Sequence, residues 1–272
     1  VTAIGLDVII VSFNTRNDLL ACLDSLAAGR PRDLRQVVVV DNASSDGSAD
    51  AVRAAFPSVA VIALDRNAGF AAANNAGIRR TSAPLVLLLN SDTRVPPGAI
   101  DRLVDRLTAT GAAVAGPRLV DGRGWPEVSH GPMLSPLAEL RQRARVRRAE
   151  TRTPAARRFV ERLLADEQEV DWVSGACLLV RREAAVDVGL LDERYFMYEE
   201  DVDFCAAIRA RGGRVIFTPA AEITHLRGRS IRAAGAGSAR YDRSHIAFYE
   251  KHLPRWAPLL RLWIRLRGRT IR

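Results

Sequence analysis

A chain of 272 residues has room for one large domain or two small ones. With 48% hydrophobic and 26% charged residues it can bury a core, which excludes global disorder. The formal charge of +9 is almost all arginine, since Lys251 is the only lysine, and it is unevenly placed. Residues 1–120 hold 12 Arg against 11 acidic residues, whereas 227–272 hold 12 basic against 2 acidic. The first half is therefore near neutral, and the second half suits an anionic partner: nucleic acid, a phosphorylated ligand or anionic lipid. No apolar run approaches the roughly 20 residues that span a bilayer, and no signal-peptide pattern precedes the first strand-like segment. Cys22, Cys177 and Cys205 lack metal-ligand spacing and read as reduced core residues of a cytosolic protein.

In chain order, Val8–Phe13 is a continuous β-branched apolar run, as in a parallel strand covered on both faces. Leu19, Cys22, Leu23 and Leu26 follow at helical spacing. Val37–Val40 is a second buried strand, and Ala51, Val52, Ala55 and Phe56 form a helical face closed by Pro57. Val59–Leu64 is a third strand, Ala71–Arg80 a helix of small residues and Leu85–Leu89 a fourth strand. Ile100, Leu103, Val104 and Leu107 mark another amphipathic helix. This alternation predicts an α/β fold: a mostly parallel central sheet with helices on both faces. Beyond it, 122–136 reads as loop from its Gly and Pro, and 139–158 as an Arg-rich helical stretch. Val173–Val180 reads as strand, Val202–Arg211 as helix, Arg214–Phe217 as a short strand, 227–240 as a Gly/Ala/Arg loop and Ser244–His252 as helix.

Ligands of open α/β sheets bind beyond the carboxyl ends of the strands. Those ends carry Ser12-Phe13-Asn14-Thr15, then Asp41-Asn42-Ala43-Ser44, then Asn67-Ala68-Gly69, then Asn90-Ser91-Asp92. Turn and cap chemistry accounts equally well for Ser45, Asp46, Gly47 and Ser48. Asp41 and Asp92, each directly after a strongly apolar strand, favour function. Neither a dinucleotide fingerprint nor a P-loop is present, which weighs against nicotinamide chemistry and nucleotide hydrolysis. A second cluster, Glu199-Glu200-Asp201-Val202-Asp203, packs four carboxylates into five residues. Helix-dipole stabilisation accounts for Glu199 and Asp203, while the flanking aromatics predict a partly buried carboxylate with a proton-transfer role. His225 lies among arginines suited to phosphate oxygens.

Taken in order, VIIVSFNTRNDLLACLDSL, VVVVDNASSDGS, NAGFAAANNAGI, LLLNSDT, VSGACLLVRREA, FMYEEDVDF and HLRGRS resemble the inverting glycosyltransferases of family 2, and among them the rhamnosyltransferase-like branch. The resemblance runs from about residue 8 to 230. It implies a GT-A (Rossmann-like) nucleotide-sugar domain over 1–230, with a nucleotide-binding half at 1–120 and an acceptor-side half at 121–230. A basic loop and amphipathic helical tail follow at 231–272. It also implies metal-dependent transfer of a sugar, rhamnose from dTDP-rhamnose, to a hydroxyl of a polyprenyl-linked or polysaccharide acceptor in cell-envelope glycan synthesis. A UDP-hexose or UDP-galactofuranose donor is the alternative.

The roles that the resemblance implies fall on particular positions. Asp201 is the catalytic base, with Glu200 as its orienter or a second acceptor contact. Asp41 holds the pyrimidine, with Ser12, Asn14, Thr15, Asn42 and Ser44 around it. Asn67, Gly69, Asn90, Ser91, Arg227 and Arg229 also face the nucleotide sugar. Asp92 and His225 hold a divalent metal, Mg²⁺ or Mn²⁺; Asn90 stands where the family's metal motif has its first acid. Trp172, Ser174 and Gly175 are on the acceptor side. The chemistry suits these residue types, because a cation offsets the charge of a departing diphosphate and one carboxylate suffices for a single inverting displacement.

The basic regions have two readings each. Residues 139–158 are a solvated face or a contact for a lipid diphosphate or membrane. Over Arg255–Arg267, Trp256, Leu259, Leu260, Trp263, Ile264 and Leu266 share one side of a helix, which either binds a membrane surface or packs on the domain. A peripheral enzyme at the cytoplasmic face of the plasma membrane is expected. A nucleic-acid-binding protein is the contrasting class, but the chain has no zinc knuckle, RNP-like aromatic pattern or basic recognition helix, so no nucleic-acid partner is expected. The oligomeric state is not legible.

Overall fold

The computed structural model describes residues 4–226 and 237–267. The first half runs β1 (Leu6–Ser12), α1 (Arg16–Gly29), β2 (Leu34–Asp41), α2 (Ser48–Ala55), β3 (Ala60–Ala63), α3 (Phe70–Arg80), β4 (Leu85–Asn90), β5 (Thr93–Arg94) and α4 (Ala99–Thr110). The second half runs β6 (Val114–Val120), β7 (Pro126–Glu127), β8 (His130–Gly131), α5 (Pro136–Glu150), α6 (Pro154–Leu163), β9 (Gln168–Glu169), β10 (Trp172–Val173) and β11 (Cys177–Arg181). It continues with α7 (Arg182–Asp187), α8 (Glu200–Ala210), β12 (Val215–His225), α9 (Gly237–His252) and α10 (Ala257–Leu266).

The main sheet has the order β3-β2-β1-β4-β11-β6-β12-β5. The pairs β1–β2, β1–β4, β2–β3 and β6–β12 are parallel. β11 is antiparallel to both β4 and β6, so it alone among the long strands runs backwards. Side chains of β1 alternate between two cores: Leu6, Val8 and Ile10 meet α1 and α4 on one face, while Ile9 and Val11 meet α3 and α8 on the other. A third cluster, Tyr195, Val202, Phe248, Tyr249 and Ala257, fastens α9 and α10 to α8.

The structure departs from the sequence expectations in the second half. β6 was not anticipated, and it carries Gly116-Pro117, a pair uncommon inside a strand. The missing N–H of Pro117 is tolerated because it pairs at Thr218, where the β6–β12 register shifts before resuming at Glu222. The same irregularity lets β12 run to His225, well beyond Phe217. The 122–136 loop contains β7 and β8, and 173–180 is two strands broken at Ser174-Gly175-Ala176. The Arg-rich stretch is also two helices. Arg152 turns into the left-handed region (φ 51°), and Thr153 caps α6 by accepting from the Ala156 N–H, with Pro154 in its first turn. Residues 237–240, expected in a loop, begin α9; Arg227 and Arg229, with the rest of 227–236, lie outside the described residues.

The small residues of α3 serve close packing. A Cβ at Gly77 would lie 2.5 Å from Ile9 Cγ2 in the middle of β1. Gly77→Val should therefore lower stability by about 1–3 kcal/mol, read as a lower urea midpoint with an unchanged m-value.

Candidate active site

The carboxyl ends of β1, β2 and β4 open into a cleft of about 870 Å³, closed on the far side by α5, α9 and α10. Of the residues singled out in the sequence, Asn42, Asn67, Gly69, Asn90, Ser91, Asp92, Trp172, Ser174, Gly175, Glu200, Asp201 and His225 line it. Ser12, Asn14, Thr15, Asp41 and Ser44 stand beside the cleft rather than on its wall. Ser12, Thr15 and Ser91 form a buried chain of hydroxyls with 2.9 Å links. Asn14 bridges the β1 and β2 ends: its N–H donates to Ser44 Oγ (2.9 Å) and its Oδ1 accepts from the Ser45 N–H (2.8 Å). Asp41 is buried; its Oδ2 accepts from the Ser44 N–H, and its Oδ1 has no hydrogen-bond partner among the described residues. Asn42 is committed to the fold. It donates to Asn67 Oδ1 (3.0 Å) and the Gly69 carbonyl (3.2 Å) and accepts from the Ala68 N–H (2.8 Å).

Gly69 joins the two halves of the site. Its φ is +91°, and a Cβ there would lie 2.5 Å from the Phe196 carbonyl oxygen, which already accepts the Phe70 N–H at 2.7 Å. The β3–α3 turn thus rests directly on the segment that leads into the acidic cluster.

At the end of β4, Asp92 meets the end of β12, because His225 pairs with Thr93 across the β5–β12 edge. His225 Nε2 lies 3.4 Å from Asp92 Oδ1, and its Nδ1 lies 3.4 Å from Glu127 Oε2. Glu127, in a stretch expected to be loop, was not anticipated. Burial alone would hold His225 neutral, but the Asp92 and Glu127 carboxylates outweigh it and push its pKa up to about 9. The donor set suits a small divalent ion. A carboxylate and an imidazole face each other, and Asn90 Oδ1 beside them is buried without a hydrogen-bond partner among the described residues. No group of three or more His, Cys, Asp or Glu ligands exists among the described residues, so substrate oxygens and water must complete such a site.

Across the cleft, two consecutive left-handed residues, Tyr198 (φ 72°) and Glu199 (φ 67°), turn the chain into α8. They deliver Glu200 and Asp201 into the cleft. Asp201 Oδ2 accepts the Gly175 N–H at 2.8 Å, and Oδ1 accepts the Val202 N–H at 2.9 Å. Burial pushes the Asp201 carboxyl up to about 6, the Gly175 amide opposing and the Glu199 charge adding to it. Burial, and then the charge of Asp201, hold Glu200 well above the usual range, and its Oε2 is buried without a hydrogen-bond partner among the described residues. Trp172 is oriented by its indole N–H, which donates to the Pro132 carbonyl at 2.9 Å.

Glu199 and Asp203 are more than dipole partners of α8. Glu199 Oε1 accepts from His245 Nδ1 at 2.9 Å, and the other ring nitrogen lies 3.1 Å from Glu139 Oε2. Burial opposes protonation of His245, but these two carboxylates prevail and raise its pKa to about 9. Asp203 is turned away from the cleft and accepts from Lys251 Nζ (2.8 Å), His252 Nε2 (2.6 Å) and the Tyr195 hydroxyl (3.2 Å), tying α8 to α9. Sequence reasoning missed Tyr241 and His245, and it did not place Glu139 and Arg143 of the Arg-rich stretch or Trp263 of the amphipathic tail at the cleft, which all five line. They lie in helices with no motif, and only the packing of α5, α9 and α10 brings them together.

A family model described as Glycosyl transferase family 2 matches residues 7–189. The N-acetylglucosaminyl-diphospho-decaprenol L-rhamnosyltransferase of Mycobacterium tuberculosis is 32% identical, over 96% of this chain and 89% of its own length. The succinoglycan biosynthesis protein ExoO of Rhizobium meliloti is 29% identical over 82% of this chain and 61% of its own. Among solved structures, the mannosyltransferase PcManGT from Pyrobaculum calidifontis, in complex with GDP-Man and Mn²⁺, superposes with a TM-score of 0.61 at 19% identity, covering 94% of this chain and 68% of that one. GalNAc-T7, solved with UDP, GalNAc and Mn²⁺, gives 0.60 at 18% identity, covering 81% and 43%. Those two likenesses concern the fold. The family match and the relative aligned along nearly its whole length establish that this chain belongs to glycosyl transferase family 2 and is an inverting hexosyltransferase with a GT-A fold.

Proposed function

We propose that the chain transfers rhamnose from dTDP-rhamnose to a hydroxyl of a polyprenyl-diphosphate-linked saccharide in cell-envelope glycan synthesis. The observation that carries the reading is Asp201: an amide-held carboxylate with a raised pKa, lining the same cleft as Asp92 and His225. The choice of sugar and acceptor rests on the similarity to the mycobacterial rhamnosyltransferase.

In this reading Asp41 Oδ1, which has no hydrogen-bond partner among the described residues, accepts from the pyrimidine N–H of the donor. Asp92 and His225 hold Mg²⁺ or Mn²⁺, of which Mn²⁺ takes an imidazole more readily. The ion, when bound, offsets the charge that grows on the departing diphosphate. Asp201 accepts the proton of the acceptor hydroxyl as its oxygen bonds to the anomeric carbon. The bond to the diphosphate breaks on the opposite face, so configuration inverts. Such general-base assistance is worth about 10²–10⁴-fold, and positioning and charge stabilisation supply the remainder. Glu200, whose pKa burial raises, contacts an acceptor oxygen or braces Asp201. α9 lends His245 and Tyr241 to the acceptor side, so part of the segment after residue 230 belongs to the working cleft.

No helix among the described residues is long and apolar enough to cross a membrane. α10 nonetheless has two apolar faces. Ala257, Leu260 and Ile264 pack on the domain, while Trp256, Leu259, Leu262 and Leu266 remain exposed, Leu266 by 79%. With no acidic residue from Lys251 onward, the exposed face suits an anionic bilayer, onto which the enzyme docks peripherally.

Three outcomes test the proposal. Asp201→Asn should cut transfer by about 10²–10⁴-fold while leaving dTDP-rhamnose affinity unchanged in calorimetry. In the unsubstituted enzyme Asp201 works only when ionised, so kcat/KM should fall about tenfold per unit below its pKa of about 6 and level off above it; normal turnover by the variant, or a flat acid limb, refutes the base. Asp92→Ala or chelation should abolish the metal-dependent thermal stabilisation produced by the nucleotide sugar, and a metal-independent response counts against the Asp92–His225 site. Leu262→Glu with Leu266→Glu should lose co-sedimentation with phosphatidylglycerol vesicles while keeping the melting temperature; retained sedimentation argues against this face.

A further inference from the structure

Three arginines that the catalytic scheme leaves unused line the outer wall of the cleft: Arg143 and Arg147 on α5, and Arg267 directly after α10. Two of them grip one aromatic ring. The Arg267 guanidinium lies 3.8 Å from the Trp263 ring centroid, and that of Arg143 lies 5.3 Å from it. Stacking holds a guanidinium plane in place while leaving its N–H edges free. Arg143 is further fixed by Glu139 at 2.9 Å. Arg147 and Arg267 are exposed and form no ion pair with any carboxylate among the described residues.

This wall connects physically to the catalytic end. From Glu199, two residues before Asp201, contacts run to His245 (2.9 Å), on to Glu139 (3.1 Å), to Arg143 (2.9 Å) and through Trp263 to Arg267. Along that path His245 and Arg143 offset the acids Glu199 and Glu139, which leaves the net positive charge at the outer end. At that end Leu266, the most exposed large apolar residue among the described residues, adjoins Arg267 in the chain. The order along these contacts from Asp201 is therefore a set of buried ion pairs, a cationic wall and an exposed apolar helix face. The donor diphosphate belongs to the other wall, with Asp92 and His225.

We infer that Arg143, Arg147 and Arg267 form a subsite for the diphosphate that joins the acceptor saccharide to its lipid, with the lipid leaving the cleft over the exposed face of α10. The inference rests on the reading that the acceptor is a lipid diphosphate. Guanidinium pairs match phosphate oxygens in bidentate fashion, and the three groups stand where saccharide gives way to hydrocarbon.

The test titrates farnesyl diphosphate, farnesyl monophosphate and farnesol into the full chain by calorimetry, with dTDP and Mn²⁺ saturating so that the donor site is filled. The expected order of affinity is diphosphate, then monophosphate, then alcohol. Arg147→Gln with Arg267→Gln should weaken farnesyl diphosphate binding at least about tenfold and leave dTDP affinity and melting temperature unchanged. Arg141→Gln, an exposed α5 arginine off the cleft wall, should change nothing. Equal affinity of double variant and wild type for the diphosphate, or equal affinity of wild type for diphosphate and farnesol, overturns the subsite and leaves the lipid-linked acceptor standing. No saturable farnesyl diphosphate binding by the wild type, together with turnover on a lipid-free glycan, overturns both.

Discussion

The Gly175 N–H reaches Asp201 at 2.8 Å only because the chain is interrupted between β10 and β11. In a continuous strand that amide would belong to a ladder. The reversal of β11 forces the break, since a strand inserted antiparallel between β4 and β6 must enter from the edge where the other strands end. The same break sends the Ala176 carbonyl to the Asn90 N–H at 2.9 Å. A three-residue interruption therefore sets two parts of the cleft, the proposed base Asp201 through Gly175 and the Asn90-Ser91-Asp92 corner through Ala176. It also constrains the sequence: a Cβ at 175 would lie 3.3 Å from Asp201 Cβ, tight enough to displace the carboxylate it is meant to hold.

The acidic run from Glu199 to Asp203 illustrates how neighbouring carboxylates acquire different properties. Helical geometry points successive residues about a quarter-turn apart, so four acids in one run meet four environments. Glu199 finds the protonated His245, and Asp203 finds Lys251 and His252. Glu200 Oε2 finds no hydrogen-bond partner among the described residues and burial raises its pKa well above the usual range, whereas Asp201 finds two amides and remains ionisable near pH 6. This spreading apart of pKa values is what assigns acid and base roles within one site. The chain's only lysine goes to Asp203, which ties α8 to α9, and not to Asp201, the proposed base.

Legibility in the sequence followed the range of the forces. The β-α alternation of residues 6–110 was readable because each strand is buried on both faces and each helix on one, so hydrophobic period alone marks them. Asp41, Asn67, Asp92 and Asp201 were readable because strand ends and an acid cluster are local signals. β6 was hidden by Gly116-Pro117, whose fit depends on a register shift in β12 a hundred residues away. His245 was hidden for a similar reason. Nothing in its own helix distinguishes it, and its two partners come from α5 and the start of α8. The amphipathic tail shows a third kind of limit: one broad apolar arc in the sequence divides in space into a packed face and an exposed one, a distinction that only the neighbour can make.

The charge distribution follows from this geometry. Many arginines of the second half are paired or stacked for structural reasons: Arg152 on Asp121, Arg157 on Glu161, Arg148 over Phe159. Such exposed pairs contribute little stability each, so they account for where arginine is tolerated more than for why it is abundant. On the proposed reading the abundance is better explained by the cleft-lining guanidiniums of Arg147 and Arg267, which form no ion pair among the described residues, and by those beside the exposed leucines of α10. A point charge would attract a diphosphate or a headgroup equally well, but a lysine cannot lie flat on Trp263 and still present a fork of donors. Arginine in place of lysine is thus the choice expected of a surface that must hold an anion against an aromatic ring.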